Sequence, residues 1–134
     1  MGIMYINNKY LAVLLGRKVP LSAKKRFSLD YCSNPCLRDT LDKEGLSGYV
    51  LYQSNQGNIT LTKEIKQHLI EKSEMITIQQ KWLISEIHRL DEVLSTKWQG
   101  GKIIPLKGIT LINSLYSGRE YIRPLSDIDV LIDI

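Results

Sequence analysis

Two aspartates two residues apart open the last aliphatic stretch of the chain, Asp127-Ile128-Asp129-Val130-Leu131-Ile132-Asp133-Ile134. Acid and aliphatic alternate at its start, which predicts a strand. Side chains repeat every two residues along a strand, so both carboxylates would face the same way, with α-carbons about 6.6 Å apart. So placed, they can converge on one hard cation or on two. Mg²⁺ takes such oxygen ligands and keeps its other positions for water and substrate phosphates. Paired metals about 3.5–4 Å apart commonly serve attack at phosphorus. Bare on an apolar strand, two acids would repel and lose hydration unless a cation, a basic partner or open solvent relieved them. Taken alone, Asp-x-Asp is more simply an exposed acidic pair.

Leu106-Lys107-Gly108 is the second such feature. A strand that turns through glycine into a helix exposes backbone N–H groups, and these favour a phosphate. Lys107 either adds a point charge to that phosphate or pairs with one of the aspartates. Arg123, four residues before Asp127, is a further candidate for an anionic substrate. The candidate substrate-binding residues are therefore Lys107, Gly108 and Arg123, and the candidate metal-binding and catalytic residues are Asp127 and Asp129.

The elements that would hold these residues follow from periodicity. Lys102-Ile103-Ile104-Pro105-Leu106 is a short β-branched run and predicts a strand. Leu111, Ile112, Leu115 and Tyr116 fall on helical spacing, and Ser117-Gly118 stops that helix. Upstream, Leu83, Ile87, Leu90 and Leu94 line one helical face, expected to be a core face. Gly100-Gly101 closes that helix. Before it, Thr62 is a good N-cap for a helix carrying Glu64, Ile65 and Leu69. Residues 1–57 are harder to read. Tyr10 to Leu15 suits one or two helical turns, while Pro20 and Pro35 interrupt any long element. Tyr49-Val50-Leu51-Tyr52 is too short to separate a strand from a buried helix.

The chain has 134 residues, 43% hydrophobic and 24% charged, which suits a globular protein and excludes wholesale disorder. Its formal charge of +4 permits nucleic-acid contact without arguing for it. From Lys102 onward four basic residues balance four acidic ones, so the excess lies in the first hundred residues. Aromatic residues are not interleaved with the basic ones as stacking platforms for single strands would need. No apolar run approaches the roughly 20 residues of a spanning helix, which points to a soluble, cytoplasmic protein. Cys32 and Cys36 lack nearby partner ligands, because His68 and His88 are distant, and two free thiols are expected.

The order of strand, Lys-Gly, helix, about a dozen residues, Arg-Pro, then Asp-Ile-Asp is far more specific than its parts. Ile104-Pro105-Leu106-Lys107-Gly108, Leu111, Leu115-Tyr116 and Arg123-Pro124-Leu125-Ser126-Asp127-Ile128-Asp129-Val130-Leu131-Ile132 together resemble the bacterial uncharacterised nucleotidyltransferase family. That family belongs to the polymerase-beta-like nucleotidyltransferase superfamily. The resemblance is tight over residues 103–132, loose over about 45–102 and absent earlier.

The resemblance implies an α+β fold, with a mainly helical N-terminal region (1–100) and the first part of a nucleotidyltransferase-type mixed sheet (101–134). It implies Mg²⁺- or Mn²⁺-dependent transfer of a nucleoside monophosphate from a nucleoside triphosphate to an acceptor hydroxyl. The acceptor is open: a small molecule, a protein or an RNA, with nucleic acid not excluded and no membrane involved. Asp127 and Asp129 would be metal ligands. Lys107-Gly108 would stand where better-known relatives carry a Gly-Ser pair that cradles the terminal phosphates. Superfamily members carry a third carboxylate on a later strand, so the chain reads as the front part of a longer protein whose site is incomplete here. The alternative is a non-catalytic module that binds nucleotide or a partner.

Overall fold

A computed structural model describes residues 6–125 and 127–133. These divide into two compact units, one up to Ser73 and one from Glu74 onward. The fold is α+β, helical first and stranded last, as the sequence predicts.

The first unit holds four short helices and the opening turns of a fifth: α1 (Asn8–Leu14), α2 (Leu21–Ser33), α3 (Pro35–Lys43), α4 (Ser47–Asn55) and α5 (Lys63–Lys97). Both prolines mark where helices begin. Pro20 is the N-cap of α2, and Pro35 occupies the first turn of α3, where its missing N–H and fixed φ cost nothing. Asn34 caps α3 by accepting from the N–H groups of Cys36 (3.0 Å) and Leu37 (3.3 Å). The ambiguous Tyr49–Tyr52 run is helical, with Val50 and Leu51 buried in α4. The core of this unit gathers Val13, Leu14, Phe27, Tyr31, Leu37 and Leu41. Tyr10 meets Phe27 edge-on at 5.2 Å between centroids, and Tyr31 stacks on it at 5.7 Å. Burial pushes the Tyr31 phenol up to about 12. Asp42 accepts from Ser47 Oγ and Lys72 Nζ. Burial pushes its carboxyl up, but these two hydrogen bonds together with the Lys72 charge outweigh that and leave it below the ordinary value. Cys32 and Cys36 are free.

Thr62 opens α5 as expected, its Oγ1 accepting from Ile65 N at 3.3 Å. The two helical patterns are one helix of 35 residues. Among the described residues, no helix is long and apolar enough to cross a membrane.

The second unit takes the rest of α5, then β1 (Lys102–Leu106), α6 (Gly108–Ser114), a 3-10 turn at Glu120–Ile122 and β2 (Asp129–Asp133). Ile87 and Leu94 of α5, with Ile109, Ile112 and Ile122, form its core. Leu90 departs from the expected stripe and is 43% exposed. The inward progression runs Gln80, Ile87, Asp91, Leu94, with a polar group at two of its positions. Asp91 Oδ1 accepts from Ile103 N at 3.0 Å and so fixes the start of β1 to the helix. Gly100, at φ +89°, reverses the chain between them. β1 and β2 pair antiparallel, Leu106 opposite Asp129 and Lys102 opposite Asp133. β2 begins at Asp129, two residues later than predicted, and Ser126 and Ile134 lie outside the described residues.

Candidate active site at the end of the strand pair

The strand register decides which groups meet. Asp129 faces Leu106 across the ladder, so the residue after Leu106 lies beside its carboxylate. That residue is Lys107, and its Nζ stands 2.8 Å from Asp129 Oδ2. Of the two partners left open by the sequence, Lys107 thus takes an aspartate here. Its ammonium is held above the ordinary lysine value, chiefly by the hydrogen bond to Asp129 and that carboxylate's charge. The Asp127 charge acts more weakly in the same direction. Asp127 precedes β2, so strand parity alone does not aim its side chain. The side chain of Lys107 is 77% exposed and that of Asp129 44%.

The turn that presents Lys107 is sharp. Lys107 has φ 51° and ψ −123°, and it is the single non-glycine residue of positive φ among the described residues. A residue with a Cβ held there costs on the order of 1–3 kcal/mol. Thr110 Oγ1 donates to Pro105 O at 3.0 Å, and Leu111 N donates to Lys107 O at 3.2 Å, which closes the strand-to-helix elbow.

Gly108 follows without a left-handed backbone. A Cβ at this position would lie 2.5 Å from Leu125 Cδ2. The glycine thus makes room for the loop that returns to β2. Helix α6 has seven residues, so the charge offered to an anion is mainly that of Lys107 rather than a helix dipole.

The returning loop is tied at its base. Gly118 N donates to Glu120 Oε1 at 2.9 Å, and Ile122 is buried. Gln80 of α5, 2% exposed, donates its amide to Glu120 O at 3.1 Å and to Arg123 O at 2.6 Å. Among the described residues, Gln80 Oε1 is buried without a partner. These contacts hold the backbone of Arg123. Its exposed side chain has no described ion pair with Asp127 or Asp129.

The matching family model, described as uncharacterised nucleotidyltransferase, covers residues 34–134. The chain belongs to this family. No curated protein and no solved structure matches it. The match includes every residue of the elbow, the tied loop and the acidic pair, and it reaches back through α5 to the start of α3.

Nucleotidyltransferases of this superfamily generally use divalent metals. Among the described residues, no group of three or more His, Cys, Asp or Glu could form a cage for an ion. Asp127 and Asp129 are hard oxygen donors of the kind and number Mg²⁺ uses, since it binds through one or two carboxylates and completes its shell with water and substrate phosphates. Gln80 and Asp91 were missed in the sequence. Their position on the inward face of α5, where apolar residues belong, is the signal that marks them.

Proposed function

We propose that the protein is a cytoplasmic, metal-dependent nucleotidyltransferase that moves a nucleoside monophosphate from a nucleoside triphosphate to an acceptor hydroxyl. Residues 101–134 carry the catalytic elements and 1–100 form the helical region before them. The single observation that carries this reading is the approach of Lys107 Nζ to Asp129 Oδ2 at 2.8 Å, at a strand-to-helix elbow, in a chain of the nucleotidyltransferase family.

In this reading Asp127 and Asp129 hold Mg²⁺ or Mn²⁺. When bound, the cation supplies neutralising charge at the phosphates. Lys107 contributes a charged hydrogen bond to the triphosphate, Gly108 keeps the elbow open beside it, and Arg123 supplies a second cation from the tied loop. The acceptor is a small molecule, a protein side chain or an RNA end.

Mn²⁺ titration followed by electron paramagnetic resonance tests the metal site. Weak binding by the chain and its loss in the Asp127→Ala, Asp129→Ala double variant are expected. Equal binding by both proteins would remove the metal site and, with it, the proposed chemistry.

A further inference from the structure

Lys107 stands in an unfavourable backbone region, with φ 51°. A glycine there would relieve the strain. Strain at a functional turn persists where the surrounding structure and the side chain's task require it. That side chain is 77% exposed and its described polar contact is with Asp129. An exposed pair of this kind is worth little, about 0–1 kcal/mol. Fold stability therefore does not explain why a cation is presented at this elbow.

Geometry suggests a different task. A Mg²⁺–oxygen bond is about 2.0–2.1 Å long. An ammonium 2.8 Å from Asp129 Oδ2 occupies space and a lone pair that such a bond would use. A divalent cation and the ammonium placed together on that oxygen would repel each other. The two acids without any cation would also repel. The lysine stem has four carbons and rotates freely in solvent, so the ammonium can leave without disturbing the backbone.

We propose that Lys107 is a resident counter-ion of the acidic pair, which yields Asp129 to the divalent cation and carries its ammonium to the triphosphate tail. The proposal rests on the metal-site reading above. It adds an order of events: Asp129 stays paired, and the acidic pair half neutralised, before metal arrives, and the phosphate-binding charge is released as metal binds. Metal and triphosphate binding are then coupled through one side chain.

The test uses the 134-residue chain, Mn²⁺ and inorganic tripolyphosphate. If Lys107 competes with metal, Lys107→Met should bind Mn²⁺ alone about fivefold more tightly, the upper range for removing an exposed ion pair. Lys107→Arg, which keeps the charge, should bind Mn²⁺ as the parent does. At saturating Mn²⁺, Lys107→Met should bind tripolyphosphate about tenfold more weakly, as expected for one lost charged hydrogen bond. Equal or weaker Mn²⁺ binding by Lys107→Met, with the parent binding normally, would overturn the exchange and leave the metal site standing. Tighter Mn²⁺ binding with unchanged tripolyphosphate affinity would overturn the transfer of the ammonium to phosphate. Absence of Mn²⁺ binding in all three proteins would overturn both this proposal and the reading beneath it.

Discussion

Gly108 offers a test in which the sign of an effect depends on one neighbour. Its backbone lies outside the left-handed region, so Gly108→Ala meets no conformational barrier. At such a position alanine stabilises by about 0.4–1 kcal/mol, because the unfolded chain loses freedom. Against this, the new Cβ would lie 2.5 Å from Leu125 Cδ2. Atoms in contact need about 3.5–4.0 Å, so Leu125 must turn aside or the elbow must shift. Cδ2 is the far end of a flexible, half-buried side chain, so the cost stays near the lower end of the about 1–3 kcal/mol of core overpacking. The clash narrowly exceeds the entropic gain, and Gly108→Ala should destabilise by about 0.5 kcal/mol. Leu125→Ala removes the obstructing atoms. In that background Gly108→Ala should stabilise by about 0.5 kcal/mol, a coupling of about 1 kcal/mol between the two positions.

Urea unfolding of the parent, both single variants and the double variant measures all four corners of this cycle. The reversal of sign is the decisive result. If Gly108→Ala destabilises equally with Leu125 present or absent, Leu125 is not the reason for glycine here, and the close approach at the elbow has been misread. If Gly108→Ala is neutral in the parent but weakens tripolyphosphate binding at saturating Mn²⁺, glycine serves ligand approach instead of packing.

Gln80 and two titratable groups give further expectations. Gln80→Leu loses two hydrogen bonds to the Glu120 and Arg123 carbonyls but also removes a buried acceptor without a partner, so a loss below about 2 kcal/mol is expected in urea unfolding. Gln80→Glu sets a buried carboxylate against those carbonyls and should cost about 3 kcal/mol or more at neutral pH; equal losses in the two variants would contradict the assigned contacts. The Asp42 carboxyl lies below its unfolded value, so its contribution is present above that value and is lost as pH falls through the folded one. Because the pair with Lys72 is partly exposed, Asp42→Asn should flatten the acid limb of the stability curve by only about 0.5 kcal/mol, read from urea midpoints between pH 3 and 7. Tyr31 is raised to about 12, so the stability tied to its neutral form holds below about pH 10 and falls as pH rises towards 12. Tyr10 is raised too, by burial and by its hydrogen bond to Asp30, so ultraviolet titration should show more than one tyrosine ionising late, and Tyr31→Phe should remove the step near 12.

The C-terminal end of the chain was more readable than its beginning, for physical reasons. β1 spans the residues expected of it because Ile103 and Ile104 are β-branched and a double glycine precedes them. α2 and α3 were obscured because their prolines read as interruptions, whereas Pro20 caps one helix and Pro35 fills the first turn of the other. The stripe on α5 was misdrawn at Leu90 because periodicity counts apolar residues. The structure instead turns Gln80 and Asp91 inward to satisfy backbone groups at Glu120, Arg123 and Ile103. Such partners are distant in sequence and leave no local pattern.

The site divides along the same line. Residue types named Asp127, Asp129, Lys107 and Gly108, but their spacing could not say whether Lys107 faces phosphate or aspartate. That choice depends on strand register, which sets Leu106 opposite Asp129 and so places the elbow beside the acids. A slip of one residue would move every side chain of β2 to the opposite face and carry Asp129 away from Lys107. The register is pinned at one end by Asp91 accepting from Ile103 N and at the other by Gln80 holding the loop that leads into β2. Buried Gln80 and half-buried Asp91 of α5 thus set the register beneath the candidate site.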